Sequence, residues 1–279
     1  MKKELIGKII GLQDGAVYNN VLFRFGPRGE AYAYGFPSLT EIGQFSLDKQ
    51  DFLVPHANAV TFGYERAKTG DEFPVFYANI YNNYCDDEDK HKATLCVYRI
   101  FRKNGTFETE MLQTIHLGFT EDLTLWSSLP DNGDARSYGN IVVDRENNRL
   151  VAFVMRDKEH ITRIFTLKLP KISEGEINSY GVREVVLEKS DILSMFDIEY
   201  SNFMQGACTY NGLLYSTEGG VLDNGAPLAI RIIDIDRKRE IRFINLNEEG
   251  LSVEPEMIFF YNGICYYGDG TGDVYKTDL

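Results

Sequence analysis

Three stretches of this chain can be laid over one another without a gap, and that constrains its fold more than any other feature. Aligned on a tyrosine, they are residues 13–23 (QDGAVYNNVLF), 205–215 (QGACTYNGLLY) and 256–266 (EMIFFYNGICY). Each carries an apolar strand into an Asn-Asn or Asn-Gly turn, where positive φ is cheap, and leaves through a second apolar or aromatic strand. That is the pattern of a tight β-hairpin. Two looser copies complete the set. Residues 58–62 pass through a long connection, 63–73, into 74–81, and residues 140–144 turn at Asn147-Asn148 into 149–155.

Further strand-like runs follow the hairpins: 31–35 with 41–47, 94–102 with 108–117, 162–169 with 182–187, and 228–235 with 240–246. The last unit has only three strands of its own, at 257–260, 264–267 and 273–276. Its missing outer strand is expected from residues 4–12. Residues 190–196 are the one short stretch expected to be helical. Five four-stranded units closed by the N-terminal strand define an all-β fold, a five-bladed β-propeller in a single domain. The blades fall at approximately 13–50, 56–117, 138–190, 203–248 and 254–279 plus 2–12. Sheets buried on both faces explain strands rich in Phe, Tyr, Val and Ile. Two packed β-sandwiches, the rival architecture, give no reason for the first and last strands to complete one unit.

In such a ring the start of each inner strand lies at one mouth of the central channel. The alignment puts Gln13, Asn58, Asn140, Gln205 and Glu256 at those starts, although strand propensity asks for none of them there. They are read as a polar collar that either orders water or binds a ligand. Strand two of the last two units ends at Glu218 and Asp269. With Glu254 and Glu256 these are expected to crowd four carboxylates at the same mouth, and His56 adds a titratable group. Such a cluster suits a hard cation such as calcium, acid-base hydrolysis of a glycosidic bond, or simply a solvated acidic face. The long segments 82–92, 118–137 and 219–227 are expected on the same side, with Trp126 in a lid or packed on the rim.

Charge narrows the partners. With 29 Lys+Arg against 42 Asp+Glu the formal charge is −13, which disfavours nucleic acid and anionic membranes. The N-terminal residues lack the apolar centre of a secretion signal and no run approaches the ~20 apolar residues of a spanning helix, so a cytoplasmic location is expected. Cys85, Cys96, Cys208 and Cys265 show no CxxC spacing and read as free thiols. No GxSxG, HExxH, P-loop or dinucleotide motif occurs.

With Gln205-Gly206-Ala207 and Glu254-Pro255-Glu256 each leading into a hairpin, the chain resembles bacterial five-bladed propellers distantly similar to plant-type glutaminyl cyclases and to NHL or gluconolactonase-like propellers. The stretch from His56-Ala57-Asn58 to Asn83 also looks like cytoplasmic propellers of anaerobic bacteria. The resemblance implies the fold and a site at the channel mouth, and carries over no residue roles. The expected function is binding of a small polar or carbohydrate-like molecule at the collar, without a resident cofactor unless calcium occupies the acidic cluster. The alternatives are a glycan-acting hydrolase and a protein-interaction scaffold.

Overall fold

A computed structural model describes residues 2–80, 93–119, 140–201, 203–220 and 225–279, with the backbone of 126–127 and 135–136. Five sheets form, one per blade, and each inner strand is hydrogen-bonded to the strand that follows it. Blade one holds Gly15–Tyr18, Val21–Phe25, Glu30–Gly35 and Thr40–Ser46. Blade four holds Met204–Tyr210, Leu213–Glu218, Ala229–Asp234 and Arg239–Asn245. The hairpin turns are made as their residues dictate. Asn19 and Asn20 both take positive φ, as do the pairs Asn211-Gly212 and Asn262-Gly263; positive φ at both central residues is the geometry whose twist matches the flanking strands.

Blade five contains Pro255–Tyr261, Ile264–Asp269 and Asp273–Thr277, and its fourth strand is the N-terminal Lys3–Lys8. The seam is antiparallel, with Leu5 opposite Tyr275 and Gly7 opposite Val274. Ile9 extends it by donating its N–H to Gly272 O at 2.9 Å. Gly272 sits at φ +94°, and a Cβ there would meet Ile9 O at 1.9 Å. Only glycine lets the two termini approach so closely.

The core divides into five apolar clusters, each lying between neighbouring blades. Phe23 and Ala33 of blade one meet Phe76 and Tyr98 of blade two. Leu22 and Tyr34, from the opposite face of blade one, meet Met257 and Val274 of blade five. Adjacent residues on one strand thus serve opposite interfaces, the period-two consequence of burying both faces.

Blades two and three depart from the sequence expectation. Blade two is built on Pro55–Phe62, Phe76–Ile80, Thr94–Lys103 and Thr106–Leu117. Arg183–Leu187, expected as the fourth strand of blade three, instead pairs in parallel with Thr106–Leu117, Val185 lying opposite Ile115. Glu176–Ile177 then makes blade two six-stranded. Blade three comprises Asn140–Asp144, Arg149–Arg156 and Ile161–Lys168, and its true outer strand is Ile192–Glu199, with Phe196 opposite Ile164. That strand overlaps the segment expected to be helical. Helix starts there and stops: Glu188 and Asp191 form a reciprocal capping box around a single 3-10 turn, Lys189–Asp191. The next eight residues gain more from closing the blade edge than from an isolated helix, which is marginal at such a length.

Candidate functional site

The inner strands run in one direction along the channel, and at the collar end the backbone is irregular. The pairing register shifts between Pro55 and Val60 in blade two, between Met204 and Ala207 in blade four, and between Pro255 and Met257 in blade five. Asn58, Gln205 and Glu256 lie inside these three bulges. A bulge adds a residue that the ladder does not pair and re-aims its side chain. Ala57, next to Asn58, holds a left-handed φ of 59°, a conformation a non-glycine residue adopts at a cost.

The amides form a chain from blade to blade. Asn58 Nδ2 donates to Asn140 Oδ1, and Asn79 Nδ2 donates to the same oxygen at 3.2 Å. Asn140 Nδ2 in turn donates to Gln205 O at 2.7 Å, and Gln205 Nε2 to Glu254 Oε1. The arc therefore spans blades two to five. Asn79 lies on the second strand of blade two, outside the repeat positions at the starts of the inner strands. Three buried oxygens of the collar take no donor from the protein: Gln13 Oε1, Asn58 Oδ1 and Glu256 Oε2.

The four expected carboxylates divide. Glu218 is committed to Arg231, whose Nε and Nη2 donate to it at 2.5 and 3.1 Å, both residues being buried. Asp269 is committed to its own turn: its Oδ1 accepts from Thr271 N at 2.9 Å, Thr271 Oγ1 at 2.8 Å and Asp273 N at 3.1 Å. Glu254 and Glu256 remain with the collar. His56 is half-buried in the same strand as Asn58, and burial pushes its imidazole down to about 4, so it is neutral at physiological pH. Among the described residues no group of three or more His, Cys, Asp or Glu side chains could hold a metal ion.

Below the collar the channel is filled. Asp14 is fully buried, and its Oδ2 accepts the backbone N–H of Val60 at 2.8 Å and of Ala207 at 3.4 Å, while Oδ1 accepts that of Ile258 at 3.4 Å. One blade-one side chain thereby holds the inner strands of blades two, four and five. Gly206 makes room for it, since a Cβ there would lie 2.8 Å from Asp14 Oδ1 and 2.5 Å from Glu256 O. Arg24 is equally buried, donating through Nη2 to Leu12 O at 2.5 Å and Asp269 O at 3.1 Å. The sequence held a signal for Asp14. In the repeat alignment it is the charged residue at a position filled elsewhere by Ala59, Ile141, Gly206 and Met257.

Burial sets the protonation of this axis. It pushes Asp14 up to about 8 against three backbone donors and Arg24. It likewise pushes Glu256 up to about 8, with Glu254 adding to the rise and Arg24 opposing it. Glu256 is therefore mostly a neutral carboxylic acid at pH 7, able to donate as well as accept.

The segments 82–92 and 120–125, and the Trp126 side chain proposed as lid or rim, lie outside the described residues, as do 221–224. Trp126–Ser127 pairs in parallel with Ala135–Arg136, and Ala135 lies opposite Arg156 of blade three. No helix among the described residues is long and apolar enough to cross a membrane.

With ring and collar in view, comparison with solved structures finds the glutaminyl cyclase of Myxococcus xanthus, at a TM-score of 0.52 and 9% identity, covering 99% of this chain and 93% of that one. The two share a fold. Chaetomium thermophilum Raptor is more distant, with a TM-score of 0.44, 8% identity and 99% of this chain covered but 20% of that one. The computationally designed Ika8 protein has a TM-score of 0.36 and 10% identity over 95% of this chain and 82% of its own. No family model and no curated protein matches the sequence.

Proposed function

We propose that this propeller binds a small, neutral, hydroxyl-rich molecule of the carbohydrate type at the collar mouth. The observation that carries the reading is the trio Gln13 Oε1, Asn58 Oδ1 and Glu256 Oε2, three buried oxygens from three successive units of the ring, two of them acceptors and the third on a carboxyl group that can donate or accept, with no hydrogen-bond partner in the protein. Desolvated acceptors are costly unless a donor meets them, and several acceptors spread round a rim match the several O–H donors of a sugar. The proton on Glu256 removes one negative charge from the site and so favours a neutral ligand over a cation. Backbone bulges at Asn58, Gln205 and Glu256 aim these side chains away from the ladder, as at many binding sites.

A thermal-shift screen of neutral sugars and polyols on wild type and Glu256→Gln tests this. A ligand that binds only the native state raises the melting temperature by mass action. A shift with wild type that shrinks in the variant is expected; no shift with any polyol, or equal shifts in both proteins, overturns the reading.

A second reading, glycoside hydrolysis, draws on the same proton, with Glu256 as the acid and Glu254 as its partner. Commitment of Glu218 and Asp269 elsewhere leaves that pair alone to do it. Release of nitrophenol from aryl glycosides, lost in Glu256→Gln, would favour hydrolysis over binding.

A further inference from the structure

The opposite mouth of the channel holds a cavity of about 280 Å³, lined by the far halves of all five inner strands and separated from the collar by the Asp14 plug. We propose that this cavity is a second binding site, one that takes a small organic carboxylate with an apolar body. Apolar side chains from all five blades, Val17, Phe62, Val143, Cys208, Ile258 and Phe260 among them, line its walls. The two threonines beside them are spent on blade three: Thr61 Oγ1 accepts Val143 N at 2.9 Å, and Thr209 Oγ1 donates to Val143 O at 3.1 Å. Cys208 contributes a thiol that burial holds well above its ordinary range, so this wall is neutral.

Arg145 supplies the charge. It stands at the first hairpin of blade three with its guanidinium carbon 5.7 Å from the Tyr18 ring and 5.0 Å from the Tyr64 ring. Aromatic rings engage the face of a guanidinium and leave its in-plane N–H groups for a ligand. The buried Nε of Arg145 donates to nothing in the protein, and the nearby carboxylates of Asp144 and Asp236 pair with Arg149 instead. Its neighbour Glu146 lines the same cavity and makes no ion pair with it: the two Glu146 oxygens accept backbone N–H groups of blade four, from Asn211 and Gly212 at 3.0 Å each. In a chain with 42 acidic residues against 29 basic ones, an arginine left unpaired at the rim of an apolar cavity is matched to a carboxylate, which accepts two parallel N–H bonds from a guanidinium. The volume lies at the lower end for ligand sites and suits a metabolite of modest size.

Calorimetric titration of 3-phenylpropionate, hexanoate and indole-3-acetate, each beside its neutral amide, tests the proposal on the full chain. At least one acid is expected to bind, with its amide weaker by roughly ten- to hundredfold, the worth of a charge-assisted pair. Arg145→Gln is expected to lose the same factor and Arg145→Lys, which keeps the charge without the fork, to fall between. Both variants alter a half-exposed side chain, and an unchanged melting temperature confirms that each is folded. Failure of all three acids to bind, equal affinity for acid and amide, or wild-type affinity in Arg145→Gln overturns it. None of these outcomes depends on the collar, where the probes are neutral polyols.

Discussion

Asp14 accepts the backbone N–H of Val60 at 2.8 Å, and that bond joins the inner strands of blades one and two at the channel axis. The same carboxyl group reaches Ala207 and Ile258. Asp14→Ala leaves three buried donors without an acceptor, and is expected to destabilise the fold by about 3 kcal/mol or more, since each orphaned group costs ~1–3 kcal/mol. Asp14→Asn keeps an acceptor oxygen and is expected to cost less than half as much. Denaturant unfolding of the two variants measures the difference, and equal losses would contradict the acceptor role given to the Asp14 carboxyl group.

Stability is expected to depend on pH in a sense opposite to that of most acidic proteins near neutrality. Asp14 and Glu256 have folded-state values raised to about 8, so the folded state holds protons that the unfolded chain releases near pH 4. Their contribution is full below the unfolded value and is lost as pH rises through about 8. His56 works the other way. Its value is lowered to about 4, so its contribution is present above the unfolded value of about 6.5 and is lost on acidification towards 4. Between about 6.5 and 8 the two carboxyls act with little opposition, and the melting temperature is expected to fall across that interval. Asp14→Asn and Glu256→Gln should each flatten the fall.

At the seam, Gly272→Ala places a methyl group against Ile9 O, 1.9 Å from an ideal Cβ, at φ +94°. Steric overlap and backbone strain add, and a loss of about 2–4 kcal/mol is expected. Deleting residues 2–8 exposes the edge of Asp273–Thr277, and an unpaired strand edge invites association. Light scattering should therefore report self-association of the truncated chain at concentrations where the full chain has none.

The Glu218–Arg231 pair separates structural acid from collar acid. Both side chains are buried, and Arg231 also donates to Glu240. Removing one partner, as in Arg231→Met, is expected to cost about 3–5 kcal/mol by stranding a buried charge, whereas Glu218→Gln with Arg231→Met recovers much of it. A double-mutant cycle of unfolding free energies checks the coupling.

Much of the ring was legible because its hairpins repeat. Asn-Gly and Asn-Asn turns fix register locally, and the missing strand of the last blade implied the seam. The outer strands were harder, since an edge strand satisfies one neighbour only and its pattern does not name that neighbour. Arg183–Leu187 alternates as well for blade two as for blade three, and Ser190-Asp191 followed by apolar residues at 192, 193, 195 and 196 imitates a helix. At the collar the alignment located Asn58, Asn140, Gln205 and Glu256, but not their partners. Asn79, which meets Asn140, and Arg231, which takes Glu218, lie on neighbouring strands, where contacts follow from three-dimensional register. Matched positions at the ends of the second strands likewise suggested one cluster of four carboxylates, and a single buried arginine removed Glu218 from it.

The protonated state of Glu256 underlies the collar site and is directly measurable. Carboxyl-carbon NMR of glutamate-labelled protein, titrated from pH 4 to 9, should show one side chain titrating near 8, and that signal should vanish in Glu256→Gln. A spectrum in which Glu256 titrates with the exposed glutamates near the unperturbed value of about 4.3 would contradict it.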